Sequence, residues 1–144
     1  SNLSRIENLE ISHNDNIINV SKIEMKTIDS FLKNKELDRL DFVRFDTEGF
    51  EFKIYQGMRE TIKKYKPMLC FEFHKTFLGL EKTFEFLKIL QNDGYEIKYY
   101  VSGLNSARFH DMKDIKKISI NELTDKIKND MIPGGFQVFL TNNN

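Results

Sequence analysis

The cluster Asp46-Thr47-Glu48-Gly49 follows the β-prone run Phe42-Val43-Arg44-Phe45 and precedes a helical pattern. Ligands of open α/β sheets gather outside the carboxyl ends of the strands, so a polar cluster at such a boundary is well placed for a site. Two carboxylates one residue apart can hold a divalent cation through oxygen ligands, or one of them can act as a general base. Gly49 allows a sharp bend or a close approach to a ligand. The same residue types are also ordinary helix caps that answer the positive end of the helix dipole. Both roles stay open on the local pattern.

A second cluster ends the apolar run Met68-Leu69-Cys70-Phe71-Glu72-Phe73-His74. Glu72 and His74 are two apart in a strand and so point to one side. Consecutive parallel strands are usually neighbours, which brings this pair beside Asp46 and Glu48 along one crevice. His74 is suited to bind a substrate hydroxyl or to move a proton near neutral pH. The bland reading is a solvated pair at a strand end. His13 and His110 lie in polar stretches and read as surface residues. Cys70, inside an apolar strand, reads as core rather than nucleophile. No G-x-G-x-x-G follows a strand, and neither a Walker-type phosphate loop nor a G-x-S-x-G elbow is present.

The elements that must position these groups follow from periodicity. Alternation predicts a half-buried strand over Ile23-Lys26, then a short helix capped by Thr27 with Ile28, Phe31 and Leu32 on its face. One helix is predicted from Phe50 to about Tyr65, with Phe50, Ile54, Met58 and Ile62 spaced by four; Pro67 stops it. Another runs from Glu81 to Asn92 and ends at Gly94. Tyr95 to Val101 alternates, with Ile97, Tyr99 and Val101 on one side. Ser119 and Glu122 are spaced as a capping box for a short helix carrying Leu123 and Ile127. Phe136 to Leu140 is the last strand. Alternating strands and helices predict an α/β fold with a mainly parallel sheet, helices on its faces and an antiparallel last strand. The last two strands are expected as antiparallel neighbours at one edge.

The 144 residues amount to one domain, with 40% apolar residues and 13 Phe and 5 Tyr to fill a core. Lys plus Arg number 22, as do Asp plus Glu, so no charge imbalance points to nucleic acid or a membrane surface. The single cysteine excludes an internal disulfide and a multi-cysteine zinc site. No apolar run is long enough to span a bilayer as a helix. A cytoplasmic location is the expectation.

Three stretches in order carry a family resemblance. They are Thr27-Ile28-Asp29-Ser30-Phe31-Leu32, Leu40-Asp41-Phe42-Val43-Arg44-Phe45-Asp46-Thr47-Glu48-Gly49-Phe50-Glu51 with Gln56-Gly57-Met58, and Lys66-Pro67 through His74. They resemble the FkbM family of S-adenosylmethionine-dependent methyltransferases, departing at Arg44, where Lys is usual. The resemblance implies a class I methyltransferase-like (Rossmann-like) sheet, with Phe42–Phe45 as its fourth strand and Met68–Phe73 as its fifth. Tyr95–Val101 and Phe136–Leu140 become the sixth and seventh. No counterpart of the family's glycine-rich first strand or of its acidic second strand stands in Ser1–Val20. The expectation is therefore one domain, 1–144, forming the C-terminal part of a methyltransferase domain that lacks the first strands and is inactive as this piece alone.

The implied cofactor is S-adenosyl-L-methionine in the full-length protein, with most of its contacts upstream, and no metal. The implied reaction is O-methyl transfer to a sugar or small metabolite. Asp46 and Glu48 would be catalytic, and Glu72 and His74 substrate-binding. The alternative is a non-catalytic remnant that serves as an interaction module, with homo-oligomerisation through an exposed sheet edge.

Overall fold

Thr27 caps the first helix, α1 (Ile28–Leu32), by accepting a hydrogen bond from the Ser30 amide at 3.1 Å. Asp29, the second residue of α1, caps a different helix. Its carboxylate accepts from the amides of Glu60 and Thr61 and from the Thr61 hydroxyl, at 3.1, 2.9 and 2.7 Å. These donors open α3 (Arg59–Tyr65), so a single side chain satisfies amides that a helix start leaves without partners. The computed structural model describes residues 24–74, 78–102, 115–132 and 135–142.

The helix predicted from Phe50 to Tyr65 is two helices, α2 (Glu51–Gln56) and α3, broken at Gly57-Met58. The cause is tertiary. A Cβ at Gly57 would stand 3.1 Å from the Thr27 methyl, and the Gly57 carbonyl accepts from the Asp29 amide at 3.0 Å. With the break, Phe52, Tyr55, Met58 and Ile62 are buried, rather than the expected row through Phe50 and Ile54. The segment 24–27 is not a strand, and Met25 is exposed.

The sheet consists of β1 (Phe42–Phe45), β2 (Met68–His74), β3 (Tyr95–Ser102), β4 (Ile115–Lys116) and β5 (Gly135–Asn142). Their order across the sheet is β1-β2-β5-β3-β4. β1 and β2 pair in parallel, whereas β5 runs antiparallel to both β2 and β3, and β4 antiparallel to β3. The expectation of a mainly parallel sheet is corrected here. β1, β2 and β3 share a direction, but β5 inserts between β2 and β3, so β1–β2 is the one parallel pairing among the described residues. β3 and β5 are antiparallel neighbours as expected, yet β5 is interior, which its nearly continuous burial suits. β1 and β4 are the two outer strands among the described residues, so β1 is not a central one.

Paired residues share a side of a sheet. Phe45, Leu69, Phe71, Phe73, Phe136, Val138, Leu140, Tyr95 and Tyr100 all fall on one side and form a single cluster with Phe52, Tyr55, Phe86, Leu90, Leu123 and Ile127. Phe71 is at its centre, stacked on Phe45 at 4.2 Å and edge-on to Phe86 at 4.9 Å. The covering helices are α2, α3, α4 (Leu80–Asn92) and α5 (Ile120–Lys128). Helices were expected on both faces; among the described residues the core lies on one. The other side carries Phe42, Met68 and Tyr99, all exposed, together with Arg44, Cys70, Glu72 and Gln137. A bulge between Ile97 and Tyr99 splits the row expected through Ile97, Tyr99 and Val101, leaving Ile97 with the core and turning Tyr99 outward. The Ser119 cap of α5 forms as predicted, accepting from the Glu122 amide at 3.1 Å.

Asp93, at the end of α4, fastens three helices. It accepts from the Tyr55 hydroxyl at 2.8 Å and from the Arg59 guanidinium at 3.0 and 2.6 Å. Burial alone would raise its pKa, but these bonds and the nearby positive charge of Arg59 and Lys63 hold it below the ordinary carboxylate value. A lowered value means that the ionised form favours folding. This contribution is fully present above the unfolded carboxylate value of about 4 and is lost as pH falls through the lower folded value. Melting temperature should therefore drop below about pH 4 with a component that Asp93→Asn lacks. Parallel acid limbs for the two proteins would refute this assignment.

Candidate active site

The register of β1 and β2, Phe42 with Met68 through Phe45 with Phe71, carries both strands to the same edge. Asp46 therefore lies level with Glu72, and the turn bearing Glu48 lies beside the end of β2. Both sequence clusters occupy one edge of the sheet. The backbone of His74 ends β2 opposite Gly135; its side chain, like His13 and His110, lies outside the described residues.

The two carboxylates are joined by a residue the sequence pattern did not single out. Nη2 of Arg44 donates to Oδ2 of Asp46 at 2.8 Å and to Oε2 of Glu72 at 3.1 Å. Oε2 of Glu72 also accepts from Nε2 of Gln137 at 3.2 Å. Gln137 is 8% exposed and comes from β5, so three strands converge on one carboxylate. Signals for both residues were in the sequence. Arg44 is two before Asp46 and shares its side of the strand; Gln137 is the one polar residue in Phe136-Gln137-Val138-Phe139-Leu140.

The turn after β1 settles the question of caps. Glu48 and Gly49 have φ of 53° and 100°, with the Phe50 amide closing on the Thr47 carbonyl at 3.3 Å. Neither Asp46 nor Glu48 caps α2, whose N-cap Phe50 has no side-chain cap bond. Glu51 does the work instead. It is 2% exposed, and its Oε1 accepts from the Thr47 amide and hydroxyl and the Gly49 amide at 2.9, 3.1 and 3.3 Å. The local helix geometry thus leaves the Asp46 and Glu48 carboxyl groups outside the turn's own bonding. Left-handed backbone at a non-glycine residue costs roughly 1–2 kcal/mol, which Glu48 bears in the turn after β1.

Cys70 lies beside Arg44 in the register and is buried. Burial, with Glu72 and Asp46 nearby and against the pull of Arg44, pushes its thiol up to about 11. It stays protonated at neutral pH and is a poor nucleophile. Among the described residues, no group of three or more His, Cys, Asp or Glu converges as a metal site. A cleft of about 710 Å³ is lined by residues that include Gly94, Tyr95, Ile97, Lys98, Lys117 and Ile120. It lies at the start of β3 and shares no residue with the carboxylate cluster.

A family model described as the methyltransferase FkbM domain matches residues 1–97, from the first residue through α4 and into β3. The chain belongs to this family. The match takes in Asp46, Glu48, Arg44, Glu51 and Glu72, whereas Gln137 lies beyond it, so the carboxylate cluster of this FkbM methyltransferase domain is completed by a strand outside the matched stretch. No curated protein and no solved structure matches the chain. No helix among the described residues is long and apolar enough to cross a membrane.

Proposed function

We propose that this FkbM domain transfers a methyl group from S-adenosyl-L-methionine to a hydroxyl of a sugar or another small metabolite, in the cytoplasm. The observation that carries the reading is the convergence of Asp46 and Glu72, from adjacent parallel strands, at the carboxyl edge of the sheet in a chain of a methyltransferase family. When bound, S-adenosylmethionine would supply an electrophilic methyl on a positively charged sulfur, whose carbon–sulfur bond would break with the electron pair leaving on neutral S-adenosylhomocysteine. The carboxylates at this edge suit such a cation. No glycine-rich turn for the rest of the cofactor stands among the described residues, so these residues would meet its methyl end and the acceptor.

In this reading Asp46 orients the acceptor hydroxyl and takes its proton as the oxygen becomes bonded to carbon. Glu48, held in a strained backbone in the turn after β1, supports the same carboxyl-lined edge. Glu72 and His74 bind further hydroxyls of the acceptor. We read β1, β2, β3 and β5 as the fourth to seventh strands of a class I sheet, and residues 1–144 as the carboxyl-terminal part of the domain. The test is transfer of labelled methyl from S-adenosylmethionine to a panel of sugars and hydroxylated metabolites by the full-length protein, alongside calorimetric titration of this chain with S-adenosylmethionine. Labelled acceptor with the former, and affinity weaker than micromolar with the latter, support the reading. No transfer to any hydroxyl acceptor refutes it.

One observation favours a second reading. The outer edge of β1 has no strand partner among the described residues, and unpaired strand edges invite pairing with another chain. A non-catalytic interaction module would form a concentration-dependent dimer in sedimentation velocity that Phe42→Pro, which removes an amide on the outer edge of β1, abolishes.

A further inference from the structure

Asp46 and Glu72 come from different strands, yet both accept from one nitrogen of Arg44, which places the two accepting oxygens no more than about 6 Å apart. Like charges this close repel each other unless a cation lies between them. In sites built from carboxylates, a divalent ion can take that place. Here a side chain takes it. The Arg44 guanidinium is half exposed, whereas the Glu72 side chain is 16% exposed and fixed from its far side by Gln137. Oδ1 of Asp46 has no partner among the described residues, so the clamp restrains one oxygen and leaves the other for an incoming group.

We propose that Arg44 is a positioning residue: a built-in cation that holds Asp46 and Glu72 convergent at the carboxyl edge of the sheet, in the place a divalent ion would otherwise occupy. Its use in catalysis rests on the methyl-transfer reading, because it fixes which oxygen of Asp46 faces the acceptor. The holding of the two carboxylates does not rest on that reading. A guanidinium can serve two acceptors in fixed directions, and an ammonium at the same place supplies the same charge without that fixed fork.

The test is calorimetric titration of the 144-residue chain with MnCl₂, which needs neither cofactor nor acceptor and so fails or succeeds independently of methyl transfer. Removing the built-in cation should create affinity for an external one. Arg44→Gln should bind Mn²⁺ at least tenfold more tightly than the parent, and adding Asp46→Asn should return it to the parent value. Arg44→Lys should remain close to the parent. Arg39→Gln, which removes an exposed guanidinium bonded to Asp41 at 2.7 Å, controls for the general loss of a positive charge and should show no gain. Equal affinity of Arg44→Gln and the parent, or an equal gain in Arg39→Gln, overturns the proposal. If Arg44→Gln loses its melting transition, recovery of that transition by Asp46→Asn supports the clamp, and failure to recover overturns it.

Discussion

Asp46→Asn should lower methyl transfer by the full-length enzyme by about a hundredfold or more, the usual loss when a positioned base is removed. Stability should barely change. Asp46 caps no helix, and its bond to Arg44 joins side chains that are 38% and 51% exposed, an ion pair of the kind worth less than about 1 kcal/mol. Asn keeps the size and can still accept from Nη2 of Arg44. What it cannot do is take a proton from an acceptor hydroxyl. Turnover and melting temperature measured on the same preparation separate the roles. A loss of activity matched by a loss of folded protein would make Asp46 structural, and undiminished turnover would remove it from the site.

For Glu51→Ala the expected deficit lies in folding. The substitution removes a buried carboxylate and leaves the Thr47 amide, the Thr47 hydroxyl and the Gly49 amide without their acceptor. These donors are only partly buried, so water recovers some of the loss. A cost of about 2–3 kcal/mol is expected, or a fall of roughly 5–10 °C in melting temperature for a chain of this size. Glu51→Gln keeps Oε1 as an acceptor and should lose less than half as much. Urea denaturation of the two variants would check this. An alanine variant within about 0.5 kcal/mol of the parent would mean that Glu51 does not hold the turn.

The two sequence clusters and their common edge were legible because they depend on local facts: apolar runs that end in carboxylates, and the tendency of consecutive parallel strands to be neighbours. The capping box at Ser119, the helix stop near Gly94 and the α/β alternation are local in the same way. What escaped the sequence depends on distant partners. Gly57 breaks a helix because Thr27 packs against it, and Asp29 caps a helix some thirty residues downstream. Arg44 was legible only as a departure from the family's usual Lys; its link to Glu72 depends on β2 lying beside it. Local composition made Asp46 and Glu48 the natural caps, yet Glu51, from inside α2, folds back to serve the turn. The bulge at β3 is marked only by the run Tyr99-Tyr100-Val101, where the alternation of Tyr95 to Tyr99 stops.

The place of β5 has a consequence for the order in which the molecule assembles. β2 and β3 never touch as strands; each is hydrogen-bonded to residues 135–142. As the chain emerges from the ribosome, β1, β2 and the helices between them can form a local unit, because their pairing spans few residues. β3 then waits with one long flank unpaired until β5 is made and slides between its neighbours. This is non-local pairing with a high entropic cost of loop closure, and it makes the zipping of β5 the natural slow step of folding. During that interval Val138 and Leu140 have no sheet to enter, and the slot they will fill is open to any other extended segment.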